Sequence, residues 1–305
     1  MRFLPLGLAL LSLLPVAALA ACAGQEASFV LPGRDVVSLR PLPPMVAEQA
    51  GADRLADESL SALRARLPRR TDETDGALFR RKDDVGAIWS AAALTALDLS
   101  GVAWGPGAMA TLITDRHVIA SAHVIGPVGN HVTFYTREGW PIRRVVTAKA
   151  ELRRDPQAGA PLDTVVARLD APVPSGVQVY PLAAAPEGGV ERLAAARMPV
   201  IVTYRNGRIG IGTLFGTRGA GARVSYAEGH LGLGPLEGLT RRARGGDSGH
   251  PSFLLVNGEL LLFSHYHTNE LAGAGPAYAE PSVRDAITEA IRRLDAEAAA
   301  RPAAP

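Results

Sequence analysis

The chain has 305 residues, 47% apolar and 20% charged, with a formal net charge of +2. That length and composition suffice to bury a full core and exclude a disordered chain. All but Lys82 and Lys149 of the 32 basic residues are arginine, yet no basic stripe with interleaved aromatics runs through them, which argues against a nucleic-acid partner.

At the amino end, Met1-Arg2 precede an uncharged apolar run from Phe3 to Ala21, the pattern of an export signal that is set apart from the fold. The run ends in Leu19-Ala20-Ala21-Cys22, which resembles a bacterial lipoprotein signal. That resemblance implies lipidation of Cys22 and a membrane contact through an N-terminal lipid anchor in the cell envelope. An ordinary secretory signal cut after Ala18-Leu19-Ala20 is the competing reading, and it makes the protein periplasmic or secreted. Either way the protein is exported, and a single cysteine rules out an intrachain disulfide.

Residues 22–84 are rich in Pro, Arg, Asp and Glu and read as a lipidated tether or pro-region. Leu55, Leu60, Leu63 and Leu67 give the stretch 53–67 the spacing of one weakly amphipathic helix. The pairs Arg69-Arg70 and Arg80-Arg81 are read as solvated linker charges, with processing sites as the alternative. From 85 onward, short β-branched and apolar runs alternate with Gly, Pro, Asn and Asp, which predicts an all-β barrel or sandwich over 85–299. Strands are expected at 108–113, 117–120, 131–136, 143–147, 163–169, 198–204, 208–215, 223–226, 252–256 and 259–265. Val256-Asn257-Gly258-Glu259 predicts a hairpin turn, since Asn and Gly tolerate positive φ. Val283, Ala286, Ile287, Ala290, Ile291 and Leu294 form one stripe of a last helix over about 282–297, with Ser282 as its cap.

Two segments carry chemistry. Gly245-Gly246-Asp247-Ser248-Gly249-His250-Pro251 holds a serine in a turn that glycines allow to be sharp. Far upstream, Ala110-Thr111-Leu112-Ile113 leads to Ser121-Ala122-His123. Serine is a weak nucleophile until a base removes its proton, and that base needs a group to orient it. Read with Leu162-Asp163-Thr164-Val165-Val166-Ala167-Arg168-Leu169, these windows resemble the chymotrypsin and trypsin family of serine peptidases. The resemblance covers about 103–291 and is strongest in the three windows.

It implies two packed six-stranded antiparallel β-barrels, about 85–180 and 195–280, with a C-terminal helix. It also implies a triad of His123, Asp163 and Ser248, with Asp155 and Asp170 as alternatives for the carboxylate. The N–H groups of Gly246 and Ser248 would form an oxyanion hole. The implied activity is that of an exported serine endopeptidase acting on a protein or peptide substrate through an acyl-enzyme, with no metal or organic cofactor. A catalytically inactive, envelope-anchored peptide- or protein-binding module is the alternative.

Three features depart from the family. His250 stands where a second glycine is usual, and a metal site of His250, His265 and His267 has no compact ligand spacing to support it. Asp247 corresponds to the residue that, in digestive members, pairs with a newly cleaved amino terminus. Here it is expected to take backbone N–H groups, with Arg241, Arg242 or Arg244, or a freed new end, as alternatives. A specificity pocket walled by Arg242, Ser264, His265 and Tyr266 would favour an acidic side chain before the scissile bond.

Overall fold

The structure is a computed structural model that describes residues 37–67, 77–83, 85–90, 97–105, 109–152, 162–218, 223–228, 239, 244–267 and 273–300. The export signal, Cys22, Arg69-Arg70, Asp155 and Arg242 lie outside them. The first described elements are a short strand, β1 (Leu39–Pro41), a 3-10 turn (Pro44–Ala47) and helix α1 (Gln49–Arg66). Expected as part of a tether, this segment is folded. Ala52, Leu55 and Ala56 enter the core of the second barrel, and Leu63 and Leu67 enter the layer between the barrels. Arg66 Nη1 also donates to Gly258 O at 2.9 Å, and Arg40 pairs with Glu259 at 2.8 Å.

Strands β2 (Phe79–Lys82) and β3 (Ala87–Trp89) form a hairpin that touches both barrels. Leu78 N–H donates to Gly207 O at 2.8 Å, and Trp89 Nε1 donates to Thr136 O at 2.7 Å. Arg80 and Arg81 therefore belong to a strand rather than a linker, with Arg81 paired to Asp83 at 3.2 Å.

The first barrel contains β4 (Thr111–Leu112), β5 (His117–Ser121), β6 (His131–Tyr135), β7 (Pro141–Glu151) and β8 (Thr164–Leu169), paired in the order β4-β5-β8-β7-β6. The segment around Gly101–Trp104 serves as the sixth strand. Leu112 N–H donates to Gly101 O at 2.9 Å on one side, and Trp104 N–H to Thr133 O at 2.8 Å on the other. The near-continuous apolar runs of β5 and β8 follow from burial on both faces. Val118, Ala120, Val165, Ala167 and Leu169 fill the barrel, while Ile119 and Val166 face the layer between barrels.

Strand β9 (Leu182–Ala184) pairs in parallel with β1, and α2 (Gly189–Ala195) leads into the second barrel. That barrel comprises β10 (Pro199–Tyr204), β11 (Arg208–Arg218), β12 (Arg223–Glu228), β13 (Pro251–Val256), β14 (Glu259–His265) and β15 (Ala274–Pro276). Their order is β14-β13-β10-β11-β12-β15. Closure comes from Tyr278 N–H to Phe263 O at 2.8 Å and His267 N–H to Ala274 O at 2.9 Å. The chain is thus all-β, with two antiparallel barrels and a C-terminal helix, the chymotrypsin-like architecture implied by the resemblance. At the β13–β14 turn, Asn257 and Gly258 both have positive φ, and Val256 pairs with Glu259. No helix among the described residues is long and apolar enough to cross a membrane.

Helix α3 (Pro281–Ala300) closes the structure. Its first residue is Pro281 rather than the one after Ser282, so Ser282 lies inside the first turn; proline's fixed φ already suits that first position. Val283, Ile287, Ala290, Ile291 and Leu294 are buried between the barrels. Asp295 is the polar anchor, lying 3.2 Å from Arg168 Nε and 3.5 Å from His117 Nε2. Replacing it with alanine leaves Arg168 without that carboxylate, so Asp295→Ala is expected to cost about 2 kcal/mol in urea denaturation. A loss within the few tenths typical of surface sites would remove the anchoring role.

Candidate active site

Pairing of Ser121 with Thr164 across β5 and β8 carries the turn 122–124 alongside Asp163. Ala122 N–H donates to Asp163 O at 3.1 Å, and His123 Nδ1 lies 2.6 Å from Asp163 Oδ2. Asp163 has φ +47°, an uncommon conformation for a residue with a Cβ that short polar side chains tolerate best. The His123 side chain is half exposed. A second donor, Ser121 Oγ, reaches the same Oδ2 at 3.1 Å.

The turn that carries Ser248 is held by Asp247. Its buried carboxylate accepts Arg205 N–H at 3.0 Å and Arg244 N–H at 2.8 Å, so backbone amides satisfy it. Within the turn, Asp247 N–H donates to Arg244 O, His250 N–H to Asp247 O and Gly249 N–H to Tyr266 O at 2.7 Å. Among the described residues, the N–H groups of Gly246 and Ser248 donate to none, and Ser248 Oγ makes no hydrogen bond. Gly246 and Gly249 have φ of +94° and +83°. A Cβ on Gly249 would stand 2.7 Å from Val124 Cγ2 and 3.0 Å from Met109 O, which shows how closely this turn seats on the first barrel.

The structure brings His123, Asp163 and the 246–249 turn to one junction, and gives the remaining candidates other roles. Asp170 is occupied, its Oδ1 accepting Val145 N–H at 3.0 Å. His250 is buried, with Nδ1 2.9 Å from Thr203 Oγ1 and its ring 5.6 Å from that of Trp104. Burial lowers its pKa to about 3, with Lys82 and Arg205 adding to the effect. Ser264, His265 and Tyr266 are buried rather than arranged as open pocket walls. His265 Nδ1 bonds the Tyr278 hydroxyl, and burial drives its pKa to about 3. A neutral, covered imidazole supplies no charge to an acidic side chain, which corrects the expectation for His265. Among the described residues no group of three or more His, Cys, Asp or Glu is placed to hold a metal.

Sequence reasoning missed Ser121, and while it expects backbone N–H groups on Asp247 it does not say that they come from Arg205 and Arg244. The hydroxyl in the Ser121-Ala122-His123 turn was the available signal for the first. Amide donors leave no side-chain trace in a sequence.

No protein-family model and no curated protein matches the chain. Among solved structures it is similar to a mutant of human heparin binding protein (CAP37), at 15% identity and a TM-score of 0.44, covering 68% of this chain and 95% of that one.

Two measurements follow from the buried groups. Removing the Asp247 carboxylate by Asp247→Ala strands two inward-facing amides, and the expected loss is about 2 kcal/mol in thermal or urea unfolding. A variant as stable as wild type would show that the turn does not depend on this residue. Folded His117, His250 and His265 have pKa values of about 4, 3 and 3, below their ordinary 6.5. The unfolded chain therefore binds protons first. Stability from these groups is complete above pH 6.5 and falls as pH drops toward 4, by up to about 1.4 kcal/mol per pH unit for each histidine. A urea midpoint that stays level across that window contradicts the assignment of all three as buried neutral imidazoles.

Proposed function

We propose that this chain is an exported serine endopeptidase that cleaves a protein or peptide substrate by acyl transfer. The observation that carries the reading is the His123–Asp163 pair, set across the barrel junction from a turn whose Gly246 and Ser248 amides have no partner among the described residues. With Nδ1–H donated to Asp163, the lone pair of Nε2 is the base. His123 takes the proton of Ser248 Oγ as that oxygen attacks the carbonyl carbon. The negative charge on the carbonyl oxygen is met by the two amides, and His123 returns the proton to the leaving amine. Water, deprotonated by the same imidazole, then releases the acyl group. The Ser248–His123 contact forms as substrate seats, since catalytic hydrogen bonds often tighten only in the complex.

The lipid anchor at Cys22 and an envelope location belong to the same proposal, on the strength of the signal pattern alone. The unbonded Ser248 Oγ favours a second reading, an inactive peptide- or protein-binding module. A fluorophosphonate probe separates the two. Wild type is expected to label, Ser248→Ala not to label, and Asp163→Asn to label about 1,000-fold or more slowly. A folded wild type that takes no label supports the binding module.

A further inference from the structure

Ser121 ends β5 and is fully buried, one residue before the turn that carries His123. Its hydroxyl has one hydrogen and two acceptors within reach, Asp163 Oδ2 at 3.1 Å and Tyr266 O at 3.4 Å. Oδ2 is also the oxygen that faces His123 Nδ1, and Tyr266 O is also the carbonyl that holds Gly249 N–H at 2.7 Å. One side chain thus touches both the orienting carboxylate and the atom that anchors the nucleophile turn. Asp163 needs such support, because its positive φ leaves the carboxylate on a backbone that does not by itself favour this placement.

We propose that Ser121 is a positioning residue, which fixes the Asp163 carboxylate against His123 and sets that pair in register with the Ser248 turn. The proposal deepens the peptidase reading and rests on it for its kinetic consequence. A shorter donor–acceptor distance to the charged carboxylate makes Asp163 the preferred partner, with Tyr266 O as the alternative when the carboxylate moves. The serine acts through Asp163 and His123 and need not touch substrate.

Ser121→Ala removes one oxygen atom with almost no change of shape, so the barrel is expected to fold. In pseudo-first-order labelling with a fluorophosphonate, the maximal rate should fall about tenfold while the half-saturating probe concentration holds, the loss expected for one hydrogen bond to a charged group. In proton NMR, the His123 Nδ1–H resonance should broaden through faster exchange with water, since the acceptor oxygen is no longer fixed. A purely structural serine would lower the melting temperature and leave that resonance as it was. An Nδ1–H resonance of unchanged width and position therefore overturns the proposal, whatever the labelling rate does. If wild type takes no label at all, the peptidase reading fails and the resonance alone still decides the role of Ser121.

Discussion

Tyr266 follows β14, and its carbonyl oxygen accepts Gly249 N–H at 2.7 Å from its own barrel and lies 3.4 Å from Ser121 Oγ of the other. The two half-sites have no covalent reason to be in register, since more than a hundred residues of chain separate the histidine turn from the serine turn. Gly249 N–H holds this carbonyl, and the Ser121 hydroxyl, whose one hydrogen goes to Asp163 Oδ2, stands beside it from the first barrel. The close seating of Gly249 on Val124 and Met109 adds a steric stop to this polar link. A side chain larger than hydrogen at 249 would press on Val124 and Met109 of the first barrel.

The same economy governs Asp247. An unpaired carboxylate taken out of water is costly, and it persists only where donors replace its hydration. The amides of Arg205 and Arg244 supply that replacement from fixed backbone. Arg205 lies in the β10–β11 turn and Arg244 in the serine loop itself, so the one carboxylate ties that loop to the second barrel. Among the described residues, the amides of Gly245, Gly246 and Ser248 donate to none. Two inward amides, those of Arg205 and Arg244, thus hold the loop through one carboxylate.

Much of this was legible from residue pattern. Strands β5, β8, β13 and β14 announce themselves through β-branched and apolar runs, and Asn257-Gly258 fixes its hairpin by backbone preference alone. His123 and Asp163 stand out by the resemblance of their windows to those of the peptidase family, and one lies just after β5 and the other just before β8. Less legible were β1, β9 and β15, of three residues each, whose pairing depends on distant partners rather than on their own composition. Within 37–67 the helix is legible from Leu55, Leu60 and Leu63, while its seat on the second barrel is not. A helix with few apolar positions reads as solvated until the surface it covers is known, and here that surface is the second barrel.

The histidines show why residue type alone misleads at such a site. His250 and His265 follow Ser248 closely in sequence, and the sequence offers His265 as a wall of a pocket for an acidic side chain. Both are buried, both have one nitrogen tied to a hydroxyl, and burial lowers the pKa of each. They act as shaped, neutral packing groups: His250 joins the serine turn to Thr203 and Trp104, and His265 joins β14 to Tyr278. His123 differs in being half exposed, with one nitrogen held by a carboxylate and the other without a partner among the described residues. An imidazole can cycle a proton only if its charged form is tolerated and one nitrogen stays open to substrate. Of the three, His123 alone is half exposed with a carboxylate on one nitrogen, so surroundings rather than closeness to Ser248 in the sequence set it apart.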